Sequence, residues 1–114
     1  MQAGNYVLTH RKKAGLSQRE LARLIGFADE SVCRHERSES LPPLPTALSY
    51  EVIFGVPISE LFPGLRLSVE EAVEKRITAF ERELQERSAR SPREADRHAQ
   101  KFAWLDQRRA VAEA

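Results

Sequence analysis

The sequence predicts an all-α fold, five short helices followed by a two-helix arm, on three observations. Ser17 stands just before an apolar-periodic run and Glu20 follows three residues later, the pattern of a capping box at a helix start. All five Gly and five of the six Pro lie at or before Gly64. Short elements with sharp ends therefore fill the front of the chain, and helix-forming Arg, Glu and Ala fill the back. In that back part Val69, Val73, Ile77, Phe80 and Leu84 recur at steps of four, four, three and four, an apolar stripe along one helical face. The composition change places a domain boundary at residue 64, giving domains 1–64 and 65–114.

Taken in order, the first helix is expected from near Gly4 or Asn5 to Ala14, with Tyr6 or Val7 and Leu8 inward and Gly15 as its stop. Arg11, Lys12 and Lys13 fall in its last turn, where cations suit the helix dipole. The second helix, Ser17–Ile25, buries Leu21, Ala22, Leu24 and Ile25, and Gly26 ends it. Ala28 or Asp29 opens a third helix reaching Arg37, with Val32 inward. Two short helices on a tight turn make a helix-turn-helix, in which one helix braces the other across a DNA major groove. Prolines 42, 43 and 45 hold the next segment as a loop. A fourth helix runs from Leu44 or Pro45 to Phe54, carrying Leu44, Ala47 and Leu48, and stops at Gly55. Pro57 starts a short fifth, with Leu61 and Phe62 closing the core. In the arm, Ser68 and Glu71 form a second capping-box pattern. Pro92 is placed to start the last helix, whose apolar face holds Ala95, Ala99, Phe102 and Leu105, with Trp104 alongside.

The string Gly15-Leu16-Ser17-Gln18-x-Glu20-Leu21-Ala22, with Gly26, Val32, Arg34 and Glu36, resembles the Cro-like (xenobiotic-response-element) family of phage-repressor-type regulators. The resemblance runs from about Leu8 to Phe62. It implies a sequence-specific regulator of transcription, a repressor acting as a homodimer on a palindromic double-stranded operator. In that family a Gln at the position of Gln18 holds a phosphate together with backbone N–H groups, and helix N-termini favour anions. Arg11 and Glu36 match a pair that joins the first helix to the end of the recognition helix, a structural brace. The loop departs from the family: Gly is usual at Ser38 and basic residues often follow, whereas Glu39 and Ser40 stand here.

Asp29, Glu30, Ser31 and Arg34 occupy the first turns of the expected recognition helix, and Arg37 is the remaining cation at its end. Arg34 suits a bidentate contact to guanine, worth about 1–3 kcal/mol of discrimination. The plain alternative is an i,i+4 pair with Glu30, worth about 0.2–0.5 kcal/mol, and both can hold if Glu30 fixes the Arg34 rotamer. The two acids repel phosphate, so Arg34 is the expected base reader. Glu51 is either the partner of a cation on the first helix or exposed.

Net charge is +1, and residues 1–64 carry seven cations against seven acids. DNA binding must then come from the placement of charge rather than its total. The single Cys excludes an internal disulfide and fits a reducing compartment. No signal-peptide pattern or membrane-length apolar run occurs, so a cytoplasmic protein is expected. His10, His35, His98 and Cys33 form no metal-ligand spacing. Paired carboxylates, a phosphate-cradling Gly loop and a nucleophile with a base are all lacking, so neither an enzyme nor a cofactor is expected. The arm stripe packs either as an intramolecular hairpin or as a dimer interface. The near-neutral charge and acidic reading helix support a second class, an accessory or antitoxin-like module whose arm grips a protein partner.

Overall fold

The computed structural model describes residues 4–113. Its helices are α1 (Val7–Lys13), α2 (Gln18–Ile25), α3 (Asp29–Glu36), α4 (Leu44–Phe54), α5 (Ile58–Leu61), α6 (Pro63–Glu86) and α7 (Pro92–Glu113), with no strand among the described residues. The chain divides into two compact units, one ending at Glu70 and the other beginning at Glu71, so α6 starts in the first and continues in the second. The helix count and class are those expected.

The first unit closes on Val7, Leu21, Ala22, Val32, Tyr50, Leu61 and Phe62, with Ile25, Ile53, Phe54 and Leu65 packed against them. The Tyr6 N–H donates to the Leu61 carbonyl at 2.9 Å and ties the start of the chain to α5. Asn5 Oδ1 accepts from the Val7 N–H at 3.0 Å, so α1 begins later than the sequence suggests. Leu8 and Leu24 are exposed, against expectation. Leu24 lies roughly 90° around α2 from the face formed by Leu21, Ala22 and Ile25, and a helix this short buries one stripe only. α4 turns Thr46, Ala47 and Tyr50 inward and leaves Leu44, Leu48 and Val52 outside.

Ser68 and Glu71 do not open a helix. Pro63 opens it instead, supplying no N–H where none is needed. The Arg66 N–H already donates to the Phe62 carbonyl at 3.0 Å, and Leu65 packs on the core. Tertiary packing thus starts α6 early and carries it through Gly64.

In the second unit the break falls where Ser91 and Pro92 place it. Ser91 Oγ accepts from the Glu94 N–H at 3.2 Å, and Pro92 is the first residue of α7. Leu84 and Leu105 are buried. Arg108 donates to Glu74 and Arg109 to Glu81, joining the two helices through their side chains.

Candidate nucleic-acid interface

The candidate interface is built from α2, α3 and the side chains that lock them to α1. At the start of α2, the Glu20 N–H donates to Ser17 Oγ at 3.0 Å and the Ser17 N–H donates to Glu20 Oε1 at 2.9 Å. The Ser17 N–H foremost, and the Ser17 hydroxyl after it, hold the Glu20 carboxyl below its usual range. Gly26 takes φ +82°, a conformation that L side chains resist, and its N–H caps the Ala22 carbonyl at 2.9 Å. α3 starts after Ala28, which offers no side-chain cap, so the dipole is met by Asp29 and Glu30 in the first turn.

Glu36, at the other end of α3, is the hub of the brace. Arg11 Nε donates to Glu36 Oε2 at 2.5 Å and Arg11 Nη2 to Oε1 at 3.3 Å. Gln18 Nε2 donates to Oε1 at 2.9 Å. Arg11 Nη1 reaches the Leu16 carbonyl at 2.8 Å, before α2 begins. The paired side chains are 11% and 4% exposed, so the carboxylate is compensated almost entirely by protein donors. One carboxylate therefore fixes α3 against both α1 and α2.

The end of α3 is held as firmly. The Glu39 N–H donates to the Arg34 carbonyl at 2.9 Å and the Ser38 N–H to the His35 carbonyl at 3.1 Å, a Schellman motif. Its left-handed residue is Ser38, at φ +59°, where the family usually has Gly. Asn5 Nδ2 donates both to the His35 carbonyl at 2.7 Å and to Ser38 Oγ at 3.1 Å, pinning this strained corner. Behind it, His35 Nδ1 and Tyr50 Oη are 2.8 Å apart with their rings edge to face. Burial lowers the His35 pKa. Burial, with a contribution from the Glu36 charge, pushes the Tyr50 phenol up.

The outer face of α3 carries exposed Asp29, Glu30 and Arg34, with Ser31 half-buried and Arg37 exposed just beyond. Asp29 lies 3.9 Å from Arg19 of α2, and Arg37 lies 3.8 Å from Glu39, both pairs in solvent. Arg34 has no ion-pair partner among the described residues; the i,i+4 pair with Glu30 does not form. Two of the cations around α3 are thus partly neutralised, and Arg34 projects from the middle of the helix uncommitted.

A family model described as Helix-turn-helix matches residues 9–61. Residues 9–61 are a Cro/C1-type helix-turn-helix domain. The family is one of DNA-binding regulators, typically non-enzymatic. No curated protein matches the chain. Within the helix-turn-helix domain, α2 and α3 are the paired helices, and α1, α4 and α5 complete the core behind them.

The domain brings Gln18, Arg11 and Glu36 together and keeps Asp29, Glu30, Ser31, Arg34 and Arg37 apart from that cluster, on or beside the outer face of α3. Several residues escaped sequence reading. Arg19, the residue after Gln18 in α2, lies beside Asp29 at the start of α3. Asn5 and the His35–Tyr50 pair hold the end of α3 from elements distant in sequence. Glu51 is not the partner of a cation on α1; its Oε1 accepts from the Ile58 N–H at 2.9 Å and caps α5. Asn5 stands just before the start of α1, which is the only local signal it gives, and Glu51, inside α4, gives none. Among the described residues no His, Cys, Asp and Glu cluster of three or more could hold a metal ion. No described helix is long and apolar enough to cross a membrane.

Proposed function

We propose that the chain is a sequence-specific transcriptional repressor that binds a palindromic operator as a homodimer, with residues 1–64 as its DNA-binding domain and 65–114 as its dimerising arm. The observation that carries this reading is Arg34, exposed and without an ion-pair partner on an α3 whose two ends are locked. A guanidinium so presented suits the O6 and N7 acceptors of guanine in the major groove. Ser31, one turn nearer the helix start, and the acids Asp29 and Glu30 flank it, the acids suited to cytosine N4. Gln18 and the first N–H groups of α2 take a phosphate. The Gln18 amide keeps one hydrogen free after its bond to Glu36, so brace and phosphate contact are compatible. Arg37 takes a second phosphate at the far end. Arg11 and Glu36 act through positioning alone.

The test is selection of bound duplexes from a random DNA pool at low salt, repeated with Arg34→Ala. The expected result is a palindromic consensus with half-sites about 10 base pairs apart centre to centre. One position per half-site should relax in the variant. Absence of enrichment even at low salt would overturn the reading. A protein-binding module is the second reading, favoured by the acids that partly neutralise Arg19 and Arg37. A stoichiometric protein that stays bound after nuclease treatment would support it.

A further inference from the structure

The arm has an unfinished core. Of its described residues beyond Glu70, only Leu84 and Leu105 are buried. Val73 and Phe80 remain 40% exposed and Trp104 46% exposed. Together with Ile77 and Arg76 these side chains line an open apolar groove of about 320 Å³ along α6. Units of about 40 residues rarely fold on so few buried side chains, and the usual remedy is association.

Charge indicates what completes it. Of the cations near the groove, Arg108 is spent on Glu74 and lies 5.7 Å above the Trp104 ring, and Arg109 is spent on Glu81. Arg76 lies at the rim, exposed and without an ion-pair partner among the described residues. Glu83 is likewise exposed and without an ion-pair partner among the described residues, and it stands seven residues on, two turns along the same side of the helix. Neither has an oppositely charged residue within reach three or four positions away inside α6. A stripe that carries a plus at one end and a minus at the other, two turns apart, is complementary to itself when inverted.

We infer that the occupant of this groove is the α6 of a second copy, antiparallel about a two-fold axis passing between Ile77 and Phe80. Arg76 of each copy then meets Glu83 of the other, and Ile77 meets Phe80. Trp104 walls the groove from α7, and two hairpins complete a four-helix bundle. The inference rests on the dimeric reading above and assigns its interface.

Sedimentation of the full chain, with helical content checked by circular dichroism, tests it on Arg76→Glu, Glu83→Arg and the double charge swap. Both sites are exposed, so folding is spared. Each single reversal is expected to weaken the dimer about tenfold or more, since it puts two like-charge contacts in place of two attractive ones, and the swap should restore it. A dimer indifferent to all three variants would overturn this interface while leaving the dimeric reading intact. A wild-type chain that is monomeric in solution and binds one copy per duplex would overturn both. So would the arm's capture of a different protein in place of its own copy.

Discussion

Removing Arg11 probes the brace on which the orientation of α3 depends. Arg11→Ala deletes two hydrogen bonds to Glu36 and one to the Leu16 carbonyl, leaving the buried carboxylate with the Gln18 amide as its side-chain donor. Leaving one member of a buried pair uncompensated costs about 3–5 kcal/mol. At roughly 0.05–0.15 kcal/mol per residue, a unit of this size has roughly 4–10 kcal/mol in total. The substitution should therefore consume about half of it or more. The assay is urea unfolding of the wild type, Arg11→Ala, Glu36→Leu and a double variant, Arg11→Met with Glu36→Leu. Both single variants are expected to lose much of the midpoint, whereas the double variant recovers most of it, because two apolar side chains leave no buried charge. A loss below about 1 kcal/mol for Arg11→Ala, the scale of a solvent-exposed pair, would refute the reasoning.

Other consequences follow from the same geometry. Burial holds the His35 pKa below its ordinary 6.5, so the unfolded chain binds a proton that the folded one resists. Stability should fall as pH drops below about 6.5, by up to about 1.4 kcal/mol per pH unit until the folded pKa is reached, as read from urea midpoints at several pH values. His35→Gln should flatten that slope. Tyr50→Phe strands His35 Nδ1 and should cost about 1–3 kcal/mol in the same assay. Ala28→Ser supplies the cap that α3 lacks and should add about 1 kcal/mol, seen as a raised thermal midpoint. Asp29→Asn releases Arg19 for phosphate, so affinity for non-specific DNA should rise and the slope of log K against log salt should steepen by about 1.

The parts of the fold that were legible in the sequence are those fixed within one turn of chain. Ser17 with Glu20, Gly26, Pro57 and Pro92 each punctuate a helix through bonds to near neighbours, and each does so here. Ser68 and Glu71 carry the same local signature as Ser17 and Glu20, yet α6 runs straight through them, because Leu65 packs on the core and draws the helix start back to Pro63. Solvent exposure was legible only in part, since apolar identity at Leu24, Leu44, Leu48 and Val52 does not say which stripe of a helix the tertiary fold will cover. For the candidate site, the outer residues of α3 could be read from position alone. Its supports could not. Asn5 reaches across 30 residues and Tyr50 across 15, and no spacing rule joins such pairs before the chain has folded. Arg11 and Glu36 were legible only through the family resemblance, for the same reason.

The central claim is that Arg34 reads a base pair from a rigidly held α3, and a binding cycle tests it most directly. Wild type and Arg34→Ala would each be titrated, at fixed salt, against the selected operator and against the operator with the one implicated G·C pair changed. If Arg34 makes the contact, the wild type loses about 1–3 kcal/mol on the changed duplex, and Arg34→Ala binds both duplexes with equal, weakened affinity. If Arg34→Ala weakens both but keeps the full preference between them, Arg34 is a phosphate contact and the base is read from elsewhere.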